Sequence, residues 1–313
     1  MDGILNIDKP SGRTSFNIVA TVKRLTGERR VGHAGTLDPA ATGVLPVCIG
    51  QGTRIIEFLV DTTKAYRAEI ELGVATDTYD SSGRITQTGD HSGINQSQLE
   101  SALTTFRGPI QQTPPMYSAV KYQGKRLYQL ARAGIEVERQ SRPNKIHHLE
   151  LTNWQPPVAT LEIVCDKGTY IRSLAHDLGQ VLGCGANLKS LVRLRCGLFD
   201  LRDAISLPQL EDACRYGYWQ RFVYPIDTVI SHWMAMVVSD DEGQAIKNGR
   251  PLAFKNGDNG EGTRHPKQRS PALASYANRC RIYTTDGYFL GVLHFNQEKE
   301  EWQPEKVFQP LDT

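Results

Sequence analysis

The chain has 313 residues, of which 39% are apolar and 22% are charged, and its formal net charge is +2. This length favours two domains with a sizeable hydrophobic core. The near balance of 36 basic and 34 acidic residues excludes a uniformly basic nucleic-acid-binding chain, so a nucleic-acid partner has to be recognised by local basic segments.

The sequence shows neither a membrane span nor a secretory signal. No run approaches the roughly 18 consecutive apolar residues of a spanning helix, and the N-terminal segment MDGILNIDKPSG has only a short apolar run. We therefore expect a cytoplasmic protein without membrane contact. The six cysteines are far apart and contain no C-x-x-C pair, so we expect small buried hydrophobes rather than disulfides or metal ligands.

The N-terminal half predicts helices and a half-buried strand. Thr14 and Ser15 can cap a helix, because apolar residues follow at helical spacing. Residues 66–73 (YRAEIELG) alternate strictly between apolar and polar, which indicates an antiparallel strand with one buried face. Ser97 and Glu100 have the spacing of a capping box and predict the start of a second helix.

The middle of the chain predicts a strand over 161–165 and an amphipathic helix marked by Ile171, Leu174, Ala175, Leu178 and Leu182. Strands and helices do not alternate as regular βαβ units. We therefore predict an α+β fold rather than a doubly wound sheet.

The last 75 residues or so have a different composition. Ser239 to Glu242 form a capping box for a short helix that Gly249 can end. Residues 255–279 are polar and rich in Gly, Asn and Pro, which is typical of a loop. Residues 281–295 predict a hairpin that turns at Asp286-Gly287. This pattern indicates a small β-barrel at the C-terminal end.

A basic segment lies in the middle of the chain. Between residues 119 and 146 seven Lys and Arg residues stand against two Glu, with Tyr117, Tyr122 and Tyr128 in or beside the segment. Positive charges interleaved with aromatic rings suit a phosphate backbone and unstacked bases. The alternative is a solvated charged face.

The most informative segment is HAGTLDPAATGVL, residues 33–45. Its glycines permit tight bends and Pro39 fixes the turn after Asp38. A single carboxylate on such a loop, among small and apolar neighbours, is a candidate catalytic group. The alternative is an ordinary turn, in which Asp before Pro is common.

The string GTLDPAATGVL resembles the signature of TruB-type pseudouridine synthases, which modify the T-arm loop of tRNA. Further motifs of that family occur in the same order, over residues 1 to about 200: IDKPSGRTS (7–15), KAY (64–66), TDTYD (76–80), PPMYSAVK (114–121) and GTYIRS followed by DLG (168–179). The resemblance implies isomerisation of uridine to pseudouridine at position 55 of tRNA. No cofactor or metal is implied, because this reaction involves neither oxidation nor hydrolysis.

The resemblance also assigns catalytic roles. Asp38 is the expected covalent nucleophile. Arg172 is expected to pair with it and to depress its pKa by roughly 1–3 units. Tyr66 is expected to stack on the target uracil, and its hydroxyl to help remove the proton of the ring carbon.

Other residues are expected to bind the substrate. The resemblance places Tyr170 and Leu191 at the base and His33 in the stack near the flipped nucleotide, because the enzyme must extrude its target from a folded loop. From their charge, five residues are candidates for contact with the RNA backbone: Lys9, Lys121, Lys125, Arg126 and Arg132. At Val192-Arg193 the chain departs from the paired arginines of the family, so one phosphate contact is expected to be missing.

The implied architecture is the pseudouridine synthase fold, a mixed and largely antiparallel sheet flanked by helices. We predict a catalytic domain over 1–236 and a PUA-like RNA-binding barrel over 237–313, which would contact the acceptor stem of tRNA. No obligate protein or guide-RNA partner is expected.

Two other functions remain open at this point. An RNA-binding tRNA-folding chaperone would need the basic segment but not a carboxylate facing a polyanion, so Asp38 favours the enzyme. A guide-RNA-dependent relative would carry extensions for its partners, and this compact chain shows no obvious ones.

Overall fold

The computed structural model describes residues 1–253 and 278–309. Within these ranges the α-helices are α1 (Ser15–Thr26), α2 (Ile56–Val60), α3 (Gln96–Thr104), α4 (Leu127–Arg132), α5 (Ile171–Leu182), α6 (Leu207–Arg215) and α7 (Asp240–Lys247). Short 3-10 helices occupy Gly50–Ile55, Leu201–Asp203, Trp219–Phe222 and Ile226–Ile230.

The strands of the first 224 residues are β1 (Gly3–Lys9), β2 (Val31–His33), β3 (Thr42–Ile49), β4 (Lys64–Leu72), β5 (Val74–Thr76), β6 (Ile85–Thr88), β7 (Gly108–Gln112), β8 (Lys121–Tyr122), β9 (Lys125–Arg126), β10 (Arg142–Gln155), β11 (Val158–Cys165), β12 (Ala186–Cys196), β13 (Phe199–Asp200), β14 (Ile205–Ser206) and β15 (Val223–Tyr224). The remaining strands are β16 (Met234–Val237), β17 (Leu252–Ala253), β18 (Arg279–Tyr283), β19 (Phe289–Asn296) and β20 (Glu301–Val307).

A large mixed sheet forms the centre of the protein. Its strand order is β14-β1-β3-β12-β4-β11-β10-β7, with β13, β15 and β2 paired to β12, β1 and β3. The β1–β14 and β3–β12 pairs are parallel and the other pairs are antiparallel. This confirms the predicted α+β fold with a largely antiparallel sheet flanked by helices.

Strand β4 lies between β11 and β12 and shows why its sequence alternates. Ala68, Ile70 and Leu72 are buried in a core with α3 and α5, while Arg67 on the other face is exposed. Each fully buried Leu or Ile stabilises such a core by roughly 1.5–3 kcal/mol. The predicted helix over Ile171–Leu182 is confirmed, and its apolar side packs on this strand group.

Strands β1 and β3 are buried on both faces, which explains their nearly continuous apolar sequences. Leu5 and Leu45 pack against α1 and α6, whereas Ile4 and Val44 pack on the opposite face in a core shared with the C-terminal sheet. Helix α1 starts with Thr14 as its N-cap, as predicted.

The C-terminal residues form a small sheet with the order β16-β18-β19-β20-β17. The predicted hairpin and the Ser239–Glu242 capping box are confirmed. The closed barrel is not confirmed, because within the described residues the edge strands β16 and β17 pair with no further strand. The predicted loop over 255–279 lies almost wholly outside the described residues.

One capping prediction was wrong. Helix α3 begins at Gln96, and its reciprocal cap joins Asn95 to Gln98, two residues before the predicted start at Ser97. Asn95 accepts from the N–H of Gln98, and this occupies the helix N-terminus before Ser97 can do so.

All six cysteines are free, and five of them are buried. No helix among residues 1–253 and 278–309 is long and apolar enough to cross a membrane.

Candidate active site

Asp38 lies on the loop that joins β2 to β3. The loop turns immediately after it, with the N–H of Ala41 donating to the carbonyl of Asp38 at 3.1 Å. At the end of the loop Gly43 has φ of 97°, and a Cβ there would lie 2.3 Å from the carbonyl oxygen of Arg193 on the neighbouring strand. Glycine is therefore required where the loop rejoins the sheet.

Arg172 binds both oxygens of the Asp38 carboxylate. Its Nε lies 2.9 Å from Oδ2 and its Nη2 donates to Oδ1 at 3.1 Å. The arginine is in the first turn of α5 and only 5% exposed, whereas the Asp38 side chain keeps 39% of its surface open. A two-point contact of this kind fixes the plane of the carboxylate and leaves its open side to a ligand.

Three further groups hold the guanidinium of Arg172. It donates to the carbonyl oxygens of Thr78 at 3.2 Å and of Tyr117 at 2.8 Å, and Asp80 Oδ2 lies 3.8 Å from its Nε. The start of the basic segment is thus tied to the Asp38 loop, because the Tyr117 carbonyl and the Asp38 carboxylate share one arginine.

The protonation of Asp38 differs from the expectation. Its pKa is raised above the usual 3.8, first because the carboxylate is surrounded by protein atoms, and also because the Asp80 charge is near. The guanidinium of Arg172 and the ammonium of Lys9 lower the pKa but do not outweigh the loss of solvation. Arg172 therefore lowers the pKa as expected, but burial has the larger effect and the pKa of Asp38 is raised overall.

Tyr66 lies on β4, partly buried and packed against the main core. Its register partner on β12 is Arg193. Burial raises the pKa of the Tyr66 phenol to about 12, so the hydroxyl keeps its proton at neutral pH. This protonation state suits stacking and hydrogen-bond donation, and it disfavours the predicted removal of a ring-carbon proton by Tyr66.

Tyr170 directly precedes α5, two residues before Arg172. Its backbone N–H donates to Gln112 Oε1 at 2.7 Å, and its carbonyl accepts from Gln112 Nε2 at 2.9 Å. Burial raises the pKa of its phenol, which also responds to the charges of Arg172 and Asp38. The phenol of Tyr170 therefore lies within electrostatic range of the Asp38–Arg172 ion pair.

Leu191 and His33 lie on two strands of the main sheet, β12 and β2. Leu191 is on β12, opposite Ala68, and partly buried. His33 ends β2, opposite Val47, and burial with the charge of Arg193 lowers the pKa of its imidazole. A neutral ring of this kind is compatible with stacking beside a nucleotide, which remains a prediction.

The expectation that Lys9 contacts the RNA backbone was wrong. Lys9 is 0% exposed, and its Nζ donates to the carbonyls of Pro10 at 3.0 Å, Pro39 at 3.1 Å and Ala41 at 2.5 Å. Burial lowers its pKa to about 8. The ammonium therefore fixes the backbone just after Asp38 instead of meeting solvent.

Arg193 is a second buried cation that the sequence did not reveal. It is 1% exposed, and its guanidinium donates to the carbonyls of Val44 at 2.7 Å and Gly35 at 3.1 Å. These carbonyls stand on either side of the Asp38 loop, so Arg193 holds both of its ends. The departure at Val192-Arg193 thus concerns a buried position, and no sequence pattern indicated it, because the pairing of Arg193 with Tyr66 follows only from the register of β12 on β4.

The other candidate cations are exposed. Lys121, Lys125 and Arg126 lie on the short β8–β9 hairpin, and Arg132 at the end of α4 stacks over the Tyr128 ring at 5.4 Å. Their accessibility fits phosphate contact, which remains a prediction.

Within residues 1–253 and 278–309 no cluster of three or more His, Cys, Asp or Glu side chains is arranged to hold a metal ion.

Comparison with known proteins gives consistent matches. Residues 23–171 match the model of the TruB family pseudouridylate synthase N-terminal domain, and residues 172–231 match that of the tRNA pseudouridylate synthase B C-terminal domain. A Dehalococcoides mccartyi protein named tRNA pseudouridine synthase B is 44% identical over 308 residues, which cover 98% of this chain and 97% of the relative.

A protein of the same name from Heliobacterium modesticaldum is 40% identical over 318 residues, covering 100% of this chain and 97% of the relative. Among solved structures, a chain in the crystal structure of a Cbf5-Nop10-Gar1 complex superposes with a TM-score of 0.72 at 25% identity. That superposition covers 99% of this chain and 86% of the other.

Proposed function

The chain belongs to the TruB family of pseudouridylate synthases, and we propose that it converts uridine 55 in the T-arm loop of tRNA to pseudouridine, with Asp38 as the covalent nucleophile. The observation that carries the proposal is the partly open carboxylate of Asp38, bound at two points by the buried Arg172. Tyr66 and Tyr170, which the same resemblance assigns to the base, support it.

The reaction is an isomerisation in which one bond is exchanged for another. The bond between the ribose carbon and the ring nitrogen breaks, the detached uracil turns, and the same ribose carbon bonds to a ring carbon. The proton of that ring carbon leaves and the ring nitrogen gains one, so atoms and electrons balance. The ionised Asp38 acts as the nucleophile that holds the intermediate while the base turns.

The chain's own residues prepare the nucleophile. Lys9 and Arg193 hold the carbonyls around the loop, and Arg172 orients the carboxylate. Because burial raises the pKa of Asp38, its proton is held more tightly than in free aspartate and the carboxylate becomes a stronger nucleophile once ionised. Arg172 keeps the charged form accessible near neutral pH.

The flipped base enters between the ion pair and Tyr66. The neutral phenol of Tyr66 can donate a hydrogen bond to a uracil oxygen, and its ring can stack on the base. Tyr170 and Leu191 border the same space. Extrusion of the base costs a few kcal/mol of unstacking, which contacts of this kind offset.

We assign residues 1–236 to the catalytic domain and 237–313 to an RNA-binding domain of the PUA type. The small C-terminal core, which includes Val238, Ile246 and Trp302, supports this division, although β16 already joins the small sheet from Met234. We expect this domain to contact the acceptor stem of tRNA and the chain to act without protein or guide-RNA partners.

The test uses the purified chain alone with an unmodified tRNA transcript. We expect pseudouridine at position 55, and none in a transcript that carries cytidine there. Product at another position would contradict the assigned substrate. Binding of tRNA without any product would instead support the chaperone function, and activity only after addition of a guide RNA would support the guide-dependent alternative.

A further inference from the structure

The loop that joins β5 to β6 contacts the guanidinium of Arg172 through two of its residues. The Thr78 carbonyl accepts from Nη1 at 3.2 Å, and Asp80 Oδ2 lies 3.8 Å from Nε. The same guanidinium binds both oxygens of the Asp38 carboxylate. The placement of this loop therefore influences where the Asp38 carboxylate is held.

Tyr79 lies between these two contacts and has a backbone conformation that tyrosine rarely adopts. Its φ of 64° falls in the left-handed region, which costs free energy for a residue with a Cβ atom. Its N–H donates to the Thr76 carbonyl at 3.2 Å, and its carbonyl accepts from the N–H of Leu188 on β12 at 3.0 Å. Glycine could make the same backbone contacts without strain. The side chain of Tyr79 is therefore expected to contribute an interaction of its own.

The ring of Tyr79 stacks on the imidazole of His176. The ring centroids are 4.0 Å apart and the planes meet at 14°, and both side chains are partly buried. His176 follows Arg172 by four residues in α5, so helical spacing puts the two side chains on the same side, about one turn apart. The loop thus contacts α5 at two positions, first through the Thr78 carbonyl and then through the Tyr79 ring. Two attachments hinder rotation of the loop about either one.

His176 makes this contact with the face of its ring. Burial lowers the pKa of the imidazole, and the charge of Arg139 lowers it further, so the ring is neutral at neutral pH. Within residues 1–253 and 278–309 its Nδ1 is buried and has no hydrogen-bond partner. A hydrogen bond from this nitrogen therefore does not hold the ring. A phenyl ring should be able to make the same stacking contact.

We propose that the stacked pair of Tyr79 and His176 positions Arg172 by holding the β5–β6 loop on α5. The pair acts through Arg172 on Asp38 and touches neither the substrate nor the reacting atoms. The proposal rests on the proposed function, because it takes the orientation of the Asp38 carboxylate to limit the rate. A displaced nucleophile reacts more slowly, whereas binding of the RNA through exposed residues is unaffected. The pair should therefore influence kcat and not tRNA affinity.

The test uses substitutions that either remove or keep a ring. Tyr79→Gly removes one ring and also relieves the left-handed strain, so it should keep the fold. His176→Ala removes the other ring, and His176→Phe keeps a ring without the nitrogens. The matched control is His91→Ala, which removes another partly buried imidazole, from the loop before α3. Each variant is assayed for kcat at saturating tRNA, for tRNA affinity and for thermal unfolding.

Tyr79→Gly and His176→Ala should each lower kcat about tenfold and change the tRNA dissociation constant less than about twofold. The double variant should also lose about tenfold, because either substitution breaks the same contact. His176→Phe and His91→Ala should keep kcat within about twofold of wild type. In an Arg172→Gln background His176→Ala should cause no further loss, because its effect passes through the missing guanidinium.

Four results would overturn the proposal. An equal fall in kcat for His176→Ala and His176→Phe would show that the nitrogens matter and not the ring face. Unchanged kcat for Tyr79→Gly in a folded protein would show that the stack is only structural. A loss confined to tRNA affinity would place the pair in binding, and an undiminished effect in the Arg172→Gln background would show that Arg172 does not transmit it.

A measurement without RNA separates this proposal from the proposed function. The Arg172 Nε lies 2.9 Å from Asp38 Oδ2, and the hydrogen exchange of its N–H can be followed by NMR on arginine-labelled protein. The signal is assigned by its loss in Arg172→Gln. Tyr79→Gly and His176→Ala should speed this exchange about tenfold, and His176→Phe should leave it unchanged.

Exchange that is unchanged in both ring-removing variants would overturn the positioning role. Wild-type protein that shows the predicted exchange pattern but forms no pseudouridine would contradict the proposed function and leave the positioning of Arg172 intact.

Discussion

Two groups of cations in this protein differ in burial, and we therefore expect them to have different roles. Around the Asp38 loop, Lys9, Arg172 and Arg193 are buried, and their donors are committed to backbone carbonyls and one carboxylate. On the β8–β9 hairpin, Lys125 and Arg126 are exposed. Buried cations fix a geometry, because the surrounding low dielectric makes each contact strong and each loss costly. Exposed cations contribute attraction for a polyanion that salt can screen.

This difference in burial predicts that the buried cations support catalysis and the exposed cations support tRNA binding. Loss of a buried cation should reduce the rate of isomerisation and leave tRNA affinity almost unchanged. Loss of an exposed cation should do the reverse. Substitutions in each group show whether the two groups are as distinct as their burial indicates.

The largest effect is expected for Arg172→Gln. The variant keeps a side chain of similar length but loses the charge and the two-point contact with Asp38, so kcat should fall on the order of 10²–10³-fold. The tRNA dissociation constant should change less than threefold or so, because the side chain is buried. The matched control is Arg202→Gln, which removes an exposed arginine bonded to Asp200 and should retain full activity. A variant with normal kcat would remove Arg172 from the mechanism.

The next effect is expected for Lys9→Met. Loss of the ammonium removes a donor from the carbonyls of Pro39 and Ala41, although Pro39 still accepts from the N–H of Gly12. This loss should cost about 2 kcal/mol of unfolding free energy. A loop displaced by a fraction of an ångström should reduce kcat roughly 10- to 100-fold with little change in tRNA affinity. Stopped-flow product formation and filter binding on the same samples separate these outcomes, and weakened binding with unchanged kcat would contradict the assignment.

The same variant has a signature in the pH dependence of stability. The pKa of Lys9 is about 8 in the folded protein against 10.5 when free. Between these values the unfolded chain binds the extra proton, so this residue makes stability rise with pH from about 8 to 10.5. The difference in unfolding free energy between wild type and Lys9→Met should show that rise. A difference that stays constant over this range would place Lys9 in solvent.

A smaller effect is expected in the pH dependence of kcat, on its acidic side. Asp38 must be ionised to act, and its pKa lies above 3.8, so kcat should rise with pH through a midpoint above that value. The Asp80 charge contributes to the raised pKa. Asp80→Asn should therefore move the midpoint to lower pH, measured at saturating tRNA. A midpoint that moves upward or stays in place would show that the carboxylates do not interact.

The smallest effect is expected for Lys125→Met, the same substitution as Lys9→Met at an exposed position. Its kcat should equal that of wild type, since the side chain lies on the surface hairpin. The tRNA dissociation constant should rise about five- to tenfold at 0.1 M salt, with a salt slope reduced by about 1. Equal behaviour of the Lys9 and Lys125 variants would abolish the distinction between the two groups.

Sequence patterns predicted the elements whose periodicity is set by one buried face. The alternation in β4 and the helical spacing in α5 both correspond to contacts with the main core. The cap of α3 was misplaced because Ser97 and Asn95 are both good capping residues, and only the backbone geometry selects between them.

The burial of the charged residues Lys9 and Arg193 could not be predicted from the sequence. Lys9 ends the apolar strand β1, and Arg193 lies in a strand with alternating polar residues, so both patterns are compatible with surface positions. Their burial arises from non-local pairing, with β1 against β3 and β12 against β4. Asp38 and Arg172 are 134 residues apart, and the resemblance to a family, not their spacing, brought them together.

The decisive test of Asp38 as nucleophile is the variant Asp38→Asn, assayed for product and for tRNA binding in the same preparation. The amide keeps the size of the side chain and one oxygen for Arg172, but it cannot form the covalent intermediate. Asp166→Asn is the matched control, because Asp166 is similarly exposed, at 44%, and its carboxylate pairs with His147 instead.

We predict that Asp38→Asn forms pseudouridine roughly 10⁴-fold or more slowly than wild type while it binds tRNA with nearly the same affinity, and that Asp166→Asn behaves as wild type. Product formation by Asp38→Asn at the wild-type rate would contradict a nucleophilic role of Asp38, because the carboxylate that Arg172 orients would then have no part in the chemistry.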